Sequence, residues 1–298
     1  MIVVENVDGI YKNVFTVDVE DWYHSTDLKI DCKNWNGCDS RIEDSTYKIL
    51  DLLEVANIKG VFYVLSDIAL QRPNLVRRIR QAGHELGSHG CTHRLVSDMT
   101  QKQFSLDIQK SRNILEDITG EKLIYYRAPV WSISQKNCWA LELLDHEGFL
   151  CDSSMQPIKT PLSGDRRCPL KPFRPIINGK RLSIVEFPST VLTRGPLRLP
   201  FAGGLFLRMM PKGAISKALH LVNKVQPGMV YVHPWEIDID QPRVCKPFYT
   251  AITHYGNLRS TLPKLKILLE NYQFITMKEF LETGVFPEHT IRYEEQGK

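Results

Sequence analysis

The chain has 298 residues, 43% of them hydrophobic, so it is long enough for one large globular domain or two average ones and is not an intrinsically disordered chain. Its 38 basic and 34 acidic residues leave a formal net charge of +4. The basic pairs are short, as at Arg77-Arg78 and Arg166-Arg167, so the charge pattern is not that of a nucleic-acid-binding protein.

Short apolar runs alternate with helical patterns along the first half of the chain. The runs predict four strands, at residues 14–17, 61–65, 84–88 and 123–126. Apolar residues at helical spacing predict helices between these strands, at residues 42–53, 73–82 and 104–118. The last two helices end at Gly83 and Gly120, and glycine is the residue that most often closes a helix.

The same alternation continues in the second half. It predicts strands at residues 149–151, 229–232 and 274–276, and helices at residues 135–147, 214–225 and 262–269. About seven βα units result, which favours a closed parallel barrel over an open sheet.

No low-complexity linker divides the chain, so residues 1–298 are predicted to form a single α/β domain with a core at about 14–280. Residues 157–212 are rich in proline, glycine and arginine and are predicted to be an insertion with hairpins. Residues 287–298 are polar and are predicted to be a frayed tail.

The sequence also predicts where the protein resides. The first eight residues contain Glu5 and Asp8 and lack the basic start and apolar core of a signal peptide. No stretch approaches the roughly 20 apolar residues needed to cross a bilayer. The seven cysteines include no C-x-x-C pair, which favours free thiols in a reducing compartment. We therefore expect a cytoplasmic protein without a transmembrane segment.

Polar side chains are concentrated where five of the predicted strands end. The five segments are Asp18–Asp21, Ser88–His93, Arg127–Pro129, Asp152–Ser154 and His233–Glu236. Because catalytic side chains of a parallel βα barrel lie at the carboxyl ends of its strands, the coincidence predicts one functional site.

Two histidines in this set predict a metal centre. His89 and His93 are four residues apart, and two histidines with one carboxylate form a common ligand set for a catalytic divalent metal. Gly87 and Gly90 leave open whether the pair lies in a tight turn or in the first turn of a helix. Two structural histidines are the alternative, and the nearby acidic cluster favours the metal.

Other residues of the set fit acid–base chemistry. Asp18 is nearest to the strand end, so the barrel fixes its direction and makes it the best candidate for a general base. Arg127 can hold that carboxylate ionised and oriented. His233 can protonate a departing amine, although a lone histidine is usually structural. Trp131 and Trp235 can stack on a sugar ring or can be ordinary core residues.

Five motifs occur in order along the chain: T-V-D-V-E-D (16–21), H-G-C-T-H (89–93), Y-R-A-P (126–129), C-D-S-S (151–154) and V-H-P-W-E (232–236). Together they resemble the motifs of NodB-type polysaccharide deacetylases, the fourth carbohydrate esterase family. The stretches I-D-x-x-Q-P-R (237–243) and H-Y-G-N-L (254–258) resemble the carboxyl-terminal extension of a subgroup associated with exopolysaccharide and surface-glycan gene clusters. The resemblance runs from Thr16 to about Phe280.

The resemblance implies a distorted seven-stranded (β/α)7 barrel with one divalent metal ion, often zinc, held by a carboxylate, His89 and His93. The usual family pattern has adjacent aspartates, but Val19 follows Asp18 here. The metal-binding carboxylate is therefore either Glu20, which fits a D-x-D spacing, or Asp21, which keeps the residue type.

The implied activity is the hydrolytic removal of N-acetyl groups from amino sugars of a surface polysaccharide or its intracellular precursor. Asp18 would be the base, Arg127 its orienting partner and His233 the acid. Substrate contacts are expected from four residues, Trp131, Trp235, Pro129 and Asp152.

Two other functions compete with this one. A metal-independent cyclic-amide hydrolase of the same fold is disfavoured by the presence of both His89 and His93. An inactive carbohydrate-binding barrel is disfavoured because it would not need Asp18, Arg127 and His233. The identity of the sugar, its attachment to a polymer, lipid or nucleotide, and the oligomeric state are left open.

Overall fold

The computed structural model describes residues 9–244 and 247–292. The predictions for residues 1–8, for Cys245 and for the end of the tail at residues 293–298 lie outside the described residues. The six cysteines in the described part of the chain are all unpaired, as expected. Within residues 9–244 and 247–292, none of the helices combines the length and apolar character needed to cross a membrane.

The strands of the described residues are β1 Val14–Val19, β2 Val61–Val64, β3 Glu85–Ser88, β4 Tyr125–Tyr126, β5 Cys151–Asp152, β6 Arg174–Ile177, β7 Lys180–Arg181, β8 Val185–Glu186, β9 Val191–Arg194, β10 Leu197–Pro200, β11 Met229–Val232 and β12 Glu288–Ile291. The α-helices are α1 Ile42–Val55, α2 Ser66–Gln71, α3 Pro73–Gln81, α4 Gln101–Thr119, α5 Trp139–His146, α6 Gly204–Met209, α7 Lys212–Asn223, α8 Phe248–Tyr255, α9 Thr261–Asn271 and α10 Met277–Thr283. Short 3-10 turns lie at Trp22–His24, Cys32–Gly37, Val96–Asp98, Pro129–Trp131, Gln135–Asn137, Pro234–Ile237 and Leu258–Ser260.

Seven parallel strands form one curled sheet, in the order β11-β1-β2-β3-β4-β5-β8. No backbone ladder joins the two edge strands, β11 and β8, within the described residues. The seam between them is bridged instead by the Met229 backbone N–H, which donates to the Thr190 hydroxyl at 2.7 Å. The fold is therefore the predicted distorted α/β barrel, open along one seam.

The predicted seventh strand is wrong. Residues 274–276 contribute only an isolated bridge between Phe274 and Asn13, and the Thr276 side chain caps α10. The seventh barrel strand is β8, inside the segment that was predicted to be an insertion. Its two residues are too short a run for an apolar pattern to identify, and only their pairing with β5 makes them a strand.

The boundaries of the insertion and the tail also differ from the prediction. Residues 157–212 do contain two hairpins, β6–β7 and β9–β10, but they also contain the barrel strand β8. Residues Glu288–Ile291 are not frayed, because β12 pairs with β6 in parallel.

The core has two layers that follow the alternation of side chains along each strand. In β1, Phe15, Val17 and Val19 pack against the surrounding helices. Val14 belongs to a second cluster with Tyr63 and other residues of the barrel interior. Both faces of β1 are buried, as in parallel sheets that are covered on both sides, so polar groups on the inner face lie in a protected environment.

Candidate active site

Strand β1 and the residue that follows it place three polar side chains on the same side of the sheet. Thr16, Asp18 and Glu20 are spaced two residues apart, and side chains two apart on a strand point to the same face. All three are buried, with Asp18 and Glu20 each 3% exposed. This spacing explains how a D-x-E sequence can place both carboxylates in one site.

Asp18 is paired with Arg127 at the centre of the barrel. The Arg127 Nη1 atom donates to Asp18 Oδ1 at 2.5 Å and to Thr16 Oγ1 at 2.9 Å. On its other side the guanidinium donates to the carbonyl and the hydroxyl oxygen of Ser153, both at 3.2 Å. A fully buried arginine is tolerable because its charge and its N–H groups have partners.

Aromatic rings support the Arg127 guanidinium. Its carbon lies 4.2 Å from the centre of the Tyr63 ring and 4.6 Å from that of Trp131. The Tyr63 ring lies against Gly87 in β3, where an added Cβ atom would come within 2.5 Å of it. Glycine at this position therefore leaves the space that the ring occupies beneath the site.

Glu20, His89 and His93 converge on one point. The Glu20 Oε1 atom lies 2.9 Å from Nε2 of His89 and 2.9 Å from Nε2 of His93. One ligand atom from each of the three buried residues lies within 4.8 Å of the others, so together they could hold a metal ion.

The tautomer of His89 supports a cation at this point. Its Nδ1 atom is 2.8 Å from the carbonyl oxygen of Arg127, which can only accept a hydrogen bond, so Nδ1 carries the proton. In neutral His89 the Nε2 lone pair then faces the Glu20 carboxylate, which is a repulsive arrangement unless a cation lies between them. The donor set, two imidazole nitrogens and a carboxylate oxygen, therefore fits a divalent metal.

Glu20 is ionised in this setting. Burial raises the pKa of a carboxyl group, but the charges of His93 and His233 outweigh it and hold the pKa of Glu20 well below its usual value. An ionised carboxylate is the form that binds a metal.

Asp21, the other candidate ligand, accepts hydrogen bonds from Trp22, Ser40 and Arg41 and does not contact the two histidines. Its Oδ1 accepts from the Trp22 backbone N–H at 2.9 Å, and its Oδ2 accepts from the Ser40 hydroxyl at 2.7 Å and the Arg41 backbone N–H at 2.9 Å. It thus caps the 3-10 turn that follows β1. The structure brings Glu20 to the two histidines and does not bring Asp21 there.

The two histidines lie in a tight turn, not in a helix. Gly90 has a φ of 78° and His93 a φ of 54°, both in the left-handed region. Such a backbone is uncommon for a residue other than glycine, and the fold holds His93 in it where its ring reaches Glu20.

His233 lies on the other side of Asp18. Its Nε2 atom is 3.8 Å from Asp18 Oδ2, and its Nδ1 atom is 3.0 Å from Glu236 Oε2. Burial lowers the pKa of a histidine, but the carboxylates of Glu20, Glu236 and Asp18 outweigh it and raise the pKa of His233 to about 9. The side chain is therefore protonated at neutral pH.

These side chains open into one pocket with a volume of about 230 Å³. The lining includes Asp18, Glu20, His93 and His233, and also Trp131 and Trp235 as predicted substrate contacts. The Trp235 ring already stacks on His233, with 5.3 Å between ring centres, and on His254, with 4.4 Å. Its role in binding a sugar stays a prediction.

Two of the predicted substrate contacts do not line this pocket. Pro129 is buried in the 3-10 turn between Arg127 and Trp131. Asp152 is completely buried and lies opposite Glu186 in the pairing of β5 with β8, with its Oδ1 accepting from the Ser154 hydroxyl. Asp152 is enclosed in the sheet and does not line the pocket, and its contact with a substrate stays a prediction.

The sequence suggested no role for two residues of the site. Glu236 stands three residues after His233, a spacing that could have suggested a histidine–carboxylate pair. Arg208, which also lines the pocket, donates through Nε to Glu236 Oε1 at 2.9 Å and is 1% exposed. It lies 25 residues before His233 in a region with no motif, so nothing local in the sequence marks it.

Two family models match the chain. Residues 35–149 match the polysaccharide deacetylase family, and residues 153–282 match a domain of unknown function (DUF3473). The matched segments meet next to β5, within one continuous sheet, and β8 and β11 lie in the second segment. The polar residues of the site lie before the first segment (Asp18 and Glu20), within it (His89, His93 and Arg127) and within the second (His233).

Among curated proteins, a peptidoglycan-N-acetylglucosamine deacetylase from Bacillus cereus is 33% identical over 120 residues, which cover 36% of this chain and 44% of the relative. A peptidoglycan deacetylase from Helicobacter pylori is 38% identical over 80 residues, 27% of this chain and 26% of the relative. The chain spans less than half the length of the curated relatives it matches.

Among solved structures, a putative polysaccharide deacetylase from Mycobacterium smegmatis matches 95% of this chain and 93% of its own, with a TM-score of 0.59 and 18% identity. At that identity the match shows a shared fold.

Proposed function

We propose that this chain, whose residues 35–149 match the polysaccharide deacetylase family, is a metal-dependent hydrolase that removes N-acetyl groups from amino sugars of a surface polysaccharide or its precursor. One observation carries the proposal. Glu20 and His93 of the three-residue metal-ligand set line one pocket together with an arginine-held carboxylate and a protonated histidine. Amide hydrolysis by an activated water needs these three functions together.

The metal would be held by Glu20, His89 and His93. When bound, a divalent ion lowers the pKa of a water molecule and polarises the amide carbonyl. We propose zinc, since two imidazoles and a carboxylate with a position left open are typical of catalytic zinc sites.

Asp18 acts as the general base. Its Oδ1 is held by Arg127, which leaves Oδ2 facing His233 and the pocket. The guanidinium keeps the carboxylate ionised and fixes its direction. Oδ2 takes one proton from water as the water oxygen bonds to the carbonyl carbon of the acetamide.

His233 acts as the general acid. Its Nδ1–H donates to Glu236, so Nε2 is the nitrogen that faces the substrate and gives its proton to the amide nitrogen. The C–N bond then breaks and yields acetate and a free amino sugar, with one proton taken by Asp18 and one given by His233. Asp18 Oδ2 and His233 Nε2 are 3.8 Å apart, so both groups can reach the same amide.

The size of the pocket bears on the substrate. About 230 Å³ is smaller than the roughly 300–1,000 Å³ of pockets that enclose drug-sized ligands. We therefore propose that it takes one amino-sugar unit while the rest of the glycan lies outside. The Bacillus cereus relative is named for a peptidoglycan N-acetylglucosamine substrate, which supports an N-acetylglucosamine unit.

The proposal is tested by measuring acetate released from N-acetylglucosamine oligosaccharides by protein that has been stripped of metal and reloaded with zinc. We expect release with zinc and little without it. A cyclic-amide hydrolase would instead open ring amides and release no acetate, with or without zinc. That result would contradict the proposal.

A further inference from the structure

The matched segment of unknown function contributes three linked side chains to the site. Arg208, His233 and Glu236 all lie within residues 153–282. Arg208 is 1% exposed and Glu236 is fully buried, so both charges are removed from water. Burying these two charges costs free energy of desolvation, so a buried ion pair is weak evidence for a role in stability alone.

Arg208, in α6, connects Glu236 to the carboxyl-terminal end of α8. Its Nε donates to Glu236, its Nη1 to the carbonyl oxygens of His254 and Gly256, both at 2.8 Å, and its Nη2 to the carbonyl of Thr253 at 2.6 Å. The three carbonyls lie at the carboxyl-terminal end of α8, where a helix carries partial negative charge. Thr253 itself lines the pocket.

Both carboxylate oxygens of Glu236 accept hydrogen bonds. Oε1 accepts from Arg208, and Oε2 accepts from the backbone N–H of His233 at 3.1 Å and from its Nδ1 at 3.0 Å. The carboxylate therefore fixes which nitrogen of the imidazole carries the permanent proton. It leaves Nε2 as the nitrogen that faces Asp18 across the pocket.

We infer that Arg208 and Glu236 are positioning residues which hold His233 as the proton donor, and that supplying this held acid is the part that residues 153–282 play in the reaction. The inference rests on the proposed function for the role of His233 as an acid. The tautomer and orientation that it assigns to His233 do not depend on activity and can be measured directly.

Glu236 and Arg208 have separate roles. Glu236 favours the protonated imidazole and fixes its Nδ1–H. His233 and, to a smaller extent, Arg208 lower the pKa of Glu236 against the effect of burial. Arg208 also fixes the rotation of the carboxylate, because a guanidinium presents its donors in a rigid plane. Without Arg208, the pKa of the buried carboxyl would rise and its preference for charged His233 would weaken.

The first test is the Glu236→Gln variant of the zinc-loaded protein, followed by nitrogen NMR of its histidine side chains. In the parent protein we expect His233 to carry a proton on Nδ1 throughout the titration. In Glu236→Gln the midpoint of His233 should fall by about one pH unit or more, because the negative charge is lost. An unchanged midpoint and tautomer would overturn the inference.

The matched control is Glu147→Gln. Glu147 pairs with Arg112 at 2.8 Å on the outer helices, so the variant removes the same charge from another arginine–glutamate pair. It should leave the titration of His233 unchanged. If Glu147→Gln shifted the titration midpoint of His233 as much as Glu236→Gln does, the shift would reflect the net charge of the protein and not contact with Glu236. The inference would then fail.

The second test is Arg208→Lys, which keeps the charge but loses the planar set of donors. We expect kcat to fall on the order of tenfold to a hundredfold, less than for loss of a positioned acid, with KM within about twofold. The basic side of the pH–kcat profile should shift to lower pH. A variant that loses thermal stability but keeps the parent's profile and His233 titration would show that Arg208 is only structural.

These outcomes are distinguishable from failure of the proposed function. If the parent protein released no acetate, the assignment of His233 as an acid would fall. The NMR titration would still decide whether Arg208 and Glu236 set its proton.

Discussion

Arg127 Nη1 lies 2.5 Å from Asp18 Oδ1 in the middle of the barrel, where the arginine side chain is 1% exposed and the aspartate 4%. The two residues are 109 positions apart in the chain and stand at the ends of different strands. This pair holds the proposed base in place, and the first prediction concerns it.

Replacing Asp18 with asparagine should lower kcat by roughly two to four orders of magnitude, the usual contribution of a positioned general base. Asparagine keeps the size of the side chain and can still accept from Arg127, but it cannot take a proton. Metal content should stay close to that of the parent, because Asp18 is not in the Glu20, His89 and His93 set. Acetate-release kinetics on the zinc-loaded variant check this, and activity within a few-fold of the parent would mean that another group is the base.

Metal affinity should separate Glu20 from Asp21. Glu20→Gln removes a charged ligand, so we expect the affinity for zinc to fall by more than the roughly 10- to 100-fold that loss of an outer-sphere partner costs. Asp21→Asn should keep the metal and lose about 1 kcal/mol of folding stability, since one capping hydrogen bond is impaired. Zinc titrations of both variants measure this. Loss of zinc in Asp21→Asn alone would reverse the assignment.

The activity should depend on the protonation of His233. Its pKa is raised to about 9 mainly by neighbouring carboxylates that outweigh burial, and an acid is active only while it carries its proton. A metal bound to Glu20 would offset part of this rise, so we expect kcat to fall on the alkaline side of neutral pH, with a midpoint at or below about pH 9. A pH–kcat profile between pH 6 and 10 tests this, and a kcat that rises through that range would contradict the role of His233 as the acid.

The buried pair of Asp152 and Glu186 should make stability depend on pH. Burial raises the pKa of both carboxyls, and the Asp152 charge raises that of Glu186 further, so the folded protein binds protons there more tightly than the unfolded chain. The two carboxyls therefore contribute most to the free energy of unfolding at acidic pH, and this contribution is lost as the pH rises towards their raised pKa values. The nearby Arg127 opposes this shift at Asp152 without reversing it.

Asp152→Asn replaces a proton shared between the two carboxyls with a permanent N–H donor. We expect the melting temperature of the variant, relative to the parent, to increase steadily from about pH 5 to pH 9. Asp165→Asn is the control, because Asp165 pairs with Arg167 in a partly exposed position and its pKa is lowered. If the melting temperature of Asp152→Asn relative to the parent did not increase with pH, that result would contradict the explanation.

Much of the candidate site was predictable from the sequence. Asp18, Arg127 and His233 each lie at the end of an apolar run, His89 follows the short predicted strand at residues 84–88, and the carboxyl ends of parallel strands meet at one end of a barrel. The structure places these four where the ends of β1, β3, β4 and β11 meet. The cytoplasmic location, by contrast, stays a prediction.

The choice between Glu20 and Asp21 depended on the path of the chain beyond β1. The two-residue period of a strand carries Glu20 to the face of Asp18 only if the extended backbone continues past Val19. Asp21 still has an extended backbone, with φ −83° and ψ 163°, and its carboxylate accepts hydrogen bonds from the Trp22 and Arg41 backbone N–H groups. Sequence spacing allowed both outcomes.

The amino-acid sequence by itself determined the βα alternation, the resemblance to the deacetylase family and the reactive groups at the strand ends, because these depend on local periodicity and on residue type. Only the tertiary structure decided that Val185–Glu186 is the seventh strand, that Asp152 is enclosed, and that Arg208 reaches Glu236. Each of these depends on pairing between segments far apart in the chain. Such contacts leave no periodic pattern, because their energy comes from burial and from hydrogen bonds that exist only after the barrel has formed.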